Sequence, residues 1–182
     1  MNPDAPGYFG KVPARGDFLS CRMPPAVAEP WDAWLGMLTV AVREESGADW
    51  PDVWLTAPLW HFALAPGIMS DRGAAGVLVA SADRVGRLFP FTIIGPSGGV
   101  PEESWSGEAE RLVLEALDDG FDPAVLDAAL TTLDRPFRPT PIGAGTTVWW
   151  CRGSDIIPPT RNVVRGMPGR AAAVAMVLGE RG

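Results

Sequence analysis

Two apolar runs separated by a short charged link set the strongest limit on how this chain can fold. Both lie within Gly76 to Gly95, GVLVASADRVGRLFPFTIIG, as Val77-Leu78-Val79-Ala80 and Leu88 to Ile94. The link between them is Asp83-Arg84-Val85-Gly86-Arg87. Each run has strand length and is rich in β-branched or aromatic residues, and Gly86 supplies the backbone freedom that a reversal needs. The stretch therefore predicts a β-hairpin at the centre of a sheet. Two arginines and an aspartate in so short a link either position a partner or pair with one another.

The rest of the chain must cover such a sheet, and its 182 residues suffice for one domain, 1–182, with a sizeable core. With 47% hydrophobic and 20% charged residues, the composition is that of a folded protein rather than a disordered one. The net charge of −7 opposes a broad nucleic-acid-binding surface. The two cysteines, Cys21 and Cys151, belong to no CxxC pattern, so neither a disulfide framework nor a zinc site is expected. The first residues lack a basic n-region and an apolar h-region, and no apolar run approaches the ~20 residues of a membrane span. The expectation is a reduced, cytoplasmic protein with no membrane insertion.

Taken in order, the chain predicts a short strand or extended entry segment over Gly7 to Val12 and then a turn through Arg15-Gly16-Asp17. That tripeptide matches the integrin-binding motif, but a turn with an Arg–Asp pair accounts for it in a chain without export signals. Val27, Trp31, Trp34, Leu35, Leu38 and Val42 recur at spacings of three and four, which predicts a helix ending near Gly47. Pro30 is tolerated only near a helix start, so the regular helix is placed from Glu29, after a lead-in turn or kinked segment. Trp31 and Trp34 are read as core.

A short helical turn is expected over Asp49 to Ala57, and a strand over Leu59 to Ala65. On that strand His61, the only histidine, faces away from Trp60 and Phe62. Further on, a loop at Pro96 to Pro101 precedes a helix ending near Asp119, with Ser104 or Ser106 as candidate caps. A second helix starts at Pro123, capped by Asp122, and ends before Arg135-Pro136. A crossing loop from Arg135 to Gly145 leads to a strand at Thr146 to Cys151. Arg152 to Arg170 reads as an irregular loop, and Ala171 to Leu178 as a last strand. The sum is about six strands and three main helices. It predicts an α+β or α/β layered domain with a largely antiparallel sheet.

Catalytic signatures are sparse. No G-x-S-x-G elbow surrounds a serine, no phosphate-cradling glycine motif occurs, and one histidine with scattered acids does not make a metal set. No cofactor is expected. A hydrolase would have to work through His61 and Asp83, and a ligand sensor through a pocket lined by tryptophans.

Several stretches together, GYFGKVPARGDFLS, EPWDAWL, TAPLWHFALAPG and GVLVASADRVGRLFPFTI, carry a resemblance over Gly7 to Ile94. They resemble the N-terminal domain of the TagF family, accessory proteins of the bacterial type VI secretion system. His61, where the family's run has an arginine, and Ala80-Ser81-Ala82, where Pro-Ser-Val is commoner, depart from the pattern. The resemblance implies an α-β-α layered fold, akin to longin-like or roadblock-like sheets. It also implies a non-enzymatic cytoplasmic repressor, acting after translation beside the threonine-phosphorylation pathway. Its implied partner is the forkhead-associated scaffold protein. The candidate polar cluster is Lys11, Arg15, Asp17, Asp83, Arg84 and Arg87. These residues either clamp the Arg15 turn against the Asp83 link or meet a protein partner.

Overall fold

The computed structural model describes residues 4–133 and 138–179. Its order opens with β1 (Gly7–Gly10), β2 (Leu19–Cys21), α1 (Pro25–Ser46), a 3-10 turn and α2 (Trp50–Leu55). Then come β3 (Trp60–Leu64), β4 (Ala74–Val79), β5 (Phe91–Pro96), β6 (Gly99–Val100), α3 (Glu103–Glu115) and α4 (Pro123–Leu133). β7 (Thr140–Pro141), β8 (Thr146–Cys151), β9 (Thr160–Arg165) and α5 (Arg170–Leu178) complete it. The result is an α+β fold with a seven-stranded antiparallel sheet in the order β2-β1-β5-β4-β3-β8-β9, and a separate β6-β7 pair.

β4 is the middle strand, and every residue of it is buried. A strand buried on both faces requires cover on both. On one side α1, α2 and α5 supply Trp31, Leu35, Trp54 and Met176 against Trp60, Phe62, Leu78 and Trp149 of the sheet. On the other, α3 and α4 supply Trp105, Leu112, Leu126 and Leu130 against Tyr8, Val77, Phe91 and Ile93. The predicted hairpin is β4 paired with β5, with Val77 opposite Ile93. Its second arm begins at Phe91 rather than Leu88, because Pro90 has no N–H for a ladder, and Leu88 makes only an isolated bridge to Ala82.

Tryptophan stitches the first layer. Trp31 stacks on Trp34 at 5.4 Å and on Trp149 at 6.4 Å, and meets Phe62 at 4.8 Å. Buried indole N–H groups need acceptors. Trp34 donates to the Pro168 carbonyl, Trp60 to that of Met176 and Trp54 to that of Ser81, all within 2.9 Å. The helices are thus fixed by direction as well as by burial.

Several expectations are corrected. α1 begins at Pro25 and carries Pro30 inside it, since a proline one turn from the start costs a single hydrogen bond. α3 is preceded by Glu102, with no side-chain cap, and Ser104 and Ser106 lie inside the helix. Asp122 does cap α4, its carboxylate accepting the Ala124 N–H at 2.9 Å. Ala171 to Leu178 is helix α5, not a strand; alanine is the best helix former, and buried Ala173, Met176 and Val177 recur at helical spacing. Within Arg152 to Arg170, the stretch Thr160–Arg165 is the edge strand β9. With Ala171 to Leu178 removed and β9 and the equally unexpected β2 added, the sheet has seven strands rather than six, with four main helices and the short α2 among the described residues. The start of the loop expected from Arg135 lies outside the described residues.

Two glycines should respond with opposite sign to alanine. A Cβ on Gly76 of β4 would lie 2.0 Å from the Ile93 carbonyl oxygen, whereas one on Gly36 of α1 meets nothing within 4 Å. Gly36→Ala is expected to stabilise by about 0.5–1 kcal/mol through helix propensity. Gly76→Ala should destabilise by roughly 3 kcal/mol or more, since backbone stands in the way. Thermal melts of the two variants check this, and a neutral Gly76→Ala would contradict the central placement of β4.

Candidate functional site

The link between β4 and β5 folds back on itself around one carboxylate. The Asp83 N–H donates to the Arg87 carbonyl at 3.0 Å, the Gly86 N–H donates to the Asp83 carbonyl at 2.8 Å, and Gly86 has φ +82°. Asp83 is only 3% exposed, and its two oxygens are saturated. Oδ1 accepts the N–H groups of Val85 at 3.1 Å and Arg87 at 2.9 Å. Oδ2 accepts Lys11 Nζ at 3.0 Å and Arg87 Nε at 2.6 Å. Burial raises the Asp83 pKa, but the Arg87 N–H, the Lys11 ammonium and the Arg87 guanidinium outweigh it and hold the carboxyl well below the usual carboxylate range.

The same loop grips the turn after β1. Arg87 Nη2 donates to the Gly16 carbonyl at 2.8 Å, and the Arg84 N–H donates to the Arg15 carbonyl at 2.8 Å. The structure thus brings Lys11, Asp83 and Arg87 together. It leaves the side chains of Arg15, Asp17 and Arg84 exposed around them, with no ion pair among the described residues. Phe18, beside this turn, packs edge-on against Phe9 at 4.6 Å and Phe89 at 5.5 Å.

Two further polar groups are built across elements distant in sequence. His61 Nε2 lies 2.9 Å from the Glu110 carboxylate of α3, and its ring stacks on Trp150 at 5.3 Å. The guanidinium of Arg161 on β9 caps the same indole at 5.6 Å. Burial lowers the His61 pKa against the opposing pull of Glu110. With Nε2–H directed at the carboxylate, Nδ1 is a buried nitrogen without a partner among the described residues. Near β2, the Cys21 thiol donates to the Asp127 carboxylate at 3.2 Å, and Arg22 pairs with the same group. Burial, then the bond to Asp127, raises the Cys21 pKa, and burial is the chief cause that pushes Tyr8 up to about 12. A thiol held protonated is a poor nucleophile.

Alternation along β3 did place His61 opposite Trp60 and Phe62. Nothing in the sequence signalled Glu110, Trp150 or Asp127, whose partners lie across the fold. His61 and Asp83 are bound to different partners and share none. Trp31, Trp34, Trp54, Trp60 and Trp149 fill the core, and the cavity beside Trp54 and Trp60 measures about 20 Å³, room for one water; Trp50 instead lines a larger surface groove. Among the described residues no three metal-ligating side chains converge, and no helix is long and apolar enough to cross a membrane.

Fold and site together define an α+β domain, a seven-stranded antiparallel sheet covered by helices on both faces, with its buried ionisable groups paired internally. Residues 7–133 match the TagF N-terminal domain, Type VI secretion system-associated, and the chain belongs to that family. The crystal structure of PA0076 from Pseudomonas aeruginosa PAO1 superposes with a TM-score of 0.86 at 30% sequence identity. The likeness covers 98% of this chain and 96% of that one. No curated protein matches the chain.

The two buried ionisable sites predict separable pH limbs. Asp83 binds its proton far less readily folded than unfolded, so its stabilisation is complete above about pH 4 and is lost as the pH falls below that. Asp83→Asn should cost roughly 2 kcal/mol at neutral pH, the exposure of Arg87 keeping the figure low, and should flatten this limb. His61 also has a lowered pKa, so stability should begin to fall as the pH drops below about 6.5. His61→Gln should remove that upper limb and leave the lower one. Urea titrations from pH 3 to 8 distinguish the two.

Proposed function

We propose that this chain is a non-enzymatic, post-translational repressor of type VI secretion. It would act in the cytoplasm by holding a component of the machinery, with the forkhead-associated scaffold protein as the favoured partner. Family membership supports the setting. One observation carries the binding reading over a catalytic one. The buried groups Asp83 and His61 and the half-buried Cys21 are committed to internal partners, while Arg15, Asp17 and Arg84 beside the Asp83 loop face solvent. A carboxylate that is ionised and saturated has no proton to give and no lone pair to spare.

The physical mechanism is mass action. A protein that binds one state of a partner lowers the free concentration of that state by its differential affinity. Exposed arginine forks suit carboxylates, phosphates and protein interfaces. The longin-like kinship implied by the family belongs to this same reading, as a binding scaffold.

Replacing Arg84 and Arg87 by alanine tests the contact surface. The double variant should fold, with melting shifted by no more than the loss of the Arg87 bonds, and should recover less scaffold protein in a pull-down. Unfolding without a separable binding defect would remove the surface. A His61→Ala chain is expected to keep repressing secretion in cells; loss of repression by a folded variant would favour the hydrolase reading instead.

A further inference from the structure

The outer surface of α1 and the short α2 face the Asp83 loop across a groove of about 540 Å³. Its walls include Val40 and Arg43 of α1, Trp50 and Leu55 of α2, and Arg87 and Leu88 of the loop. We propose that this groove docks an acidic segment of a partner protein through one bulky apolar side chain. The proposal rests on the reading above for the natural partner, but not for the site.

The apolar floor is unusual for its place. α1 already buries Trp31, Trp34, Leu35, Leu38 and Val42 on its inner side, so its outer side has no folding reason to be apolar. Even so, Val40 is 52% exposed and Leu55 58%, and Val85, next to the lining residue Gly86, is 70% exposed. Anchors of an interface are apolar side chains seated in such a recess, ringed by polar groups.

The ring fixes the partner's charge. Two guanidinium groups line the groove and no carboxylate does. Arg87 has its Nε and Nη2 committed to Asp83 and Gly16. Arg43, in the last turn of α1, makes no ion pair among the described residues. Covering these cations with an uncharged surface would strip their hydration without replacement, while a carboxylate replaces it with charge-assisted bonds. A second copy of this chain is a poor occupant. Two grooves meeting about a two-fold axis would set arginine against arginine, and the copies repel at a net charge of −7 each.

The test uses the whole chain, labelled with nitrogen-15, and two synthetic peptides. One has leucines at helical spacing with glutamates between them, and the other has lysine for every glutamate. The acidic peptide should shift the amides of 39–43, 50–55 and 82–88 and bind at least about tenfold tighter than the basic one. Val40→Glu and Leu55→Glu, both at exposed positions, should each weaken it by about tenfold. Equal binding of the two peptides, shifts elsewhere or no shifts would overturn the proposal. A second arm measures the purified scaffold protein against wild type and Val40→Glu. Equal binding to both would overturn the groove as the docking site and leave the proposed function standing. Acidic-peptide binding in the groove without scaffold binding would uphold the groove and remove the scaffold as partner.

Discussion

The burial of β4 on both faces is the constraint from which the rest of the architecture follows. A strand of Ala-Ala-Gly-Val-Leu-Val has no polar side for solvent, so it cannot lie in a sheet with one wet face. Neighbours on both edges and helices on both faces are then obligatory. β5 and β3 provide the edges, and the α1/α2/α5 and α3/α4 layers provide the cover. Gly76, in the same strand, lets Ile93 and Phe62 approach where any larger residue would hold them off. Tryptophans then lock the first layer, since each indole joins a broad packing surface to one directed hydrogen bond. Trp54 is the telling case. Its N–H reaches the Ser81 carbonyl at 2.9 Å, so the helix that walls the groove is tied to the loop that carries Asp83.

Asp83 plays for the surface the part that β4 plays for the core. Its four hydrogen bonds hold together three pieces of chain that the sheet alone would leave loose: the β4–β5 loop, Lys11 after β1, and through Arg87 the turn at Gly16. The carboxylate is covered by side chains that are themselves partly in water, Lys11 at 18% exposure and Arg87 at 62%. Such an arrangement sits between a surface ion pair and a buried one. Its worth lies more in fixing one loop geometry than in net stability.

How much of this could be read in advance follows from the range of the interactions. The tryptophan helix announces itself by its helical period, the hairpin and the strand at Thr146 to Cys151 by short runs of β-branched and aromatic residues, and the structure has all three. α5 reads as a strand in the sequence because AAAVAMVL is apolar at nearly every position, which erases the difference between a period of two and one of 3.6; only its alanines favour a helix. β9 carries no strand signal of its own, because TRNVVR lies on the sheet edge, half wet, among prolines that mark loops. In the candidate site, Lys11, Asp83 and Arg87 could be named because the resemblance marks both of their segments. Glu110 against His61 and Asp127 against Cys21 are meetings of side chains 49 and 106 residues apart, and no local signal encodes them.

The clamp and the contact surface, posed as alternatives by the sequence, are physically compatible. A loop that must bind a partner loses affinity when it first has to be ordered, by about 0.5–1.5 kcal/mol for each long side chain immobilised. Asp83 orders the backbone beforehand, as an internal matter, and does so with bonds that a partner need not break. Arg84 and Val85 then stand on a frame whose shape is already set, beside the walls formed by α1 and α2. On the binding reading, Asp83 is therefore a positioning residue that never touches the partner, and Arg87 serves both roles, two of its nitrogens turned inward to Asp83 and Gly16 while most of its surface stays in solvent.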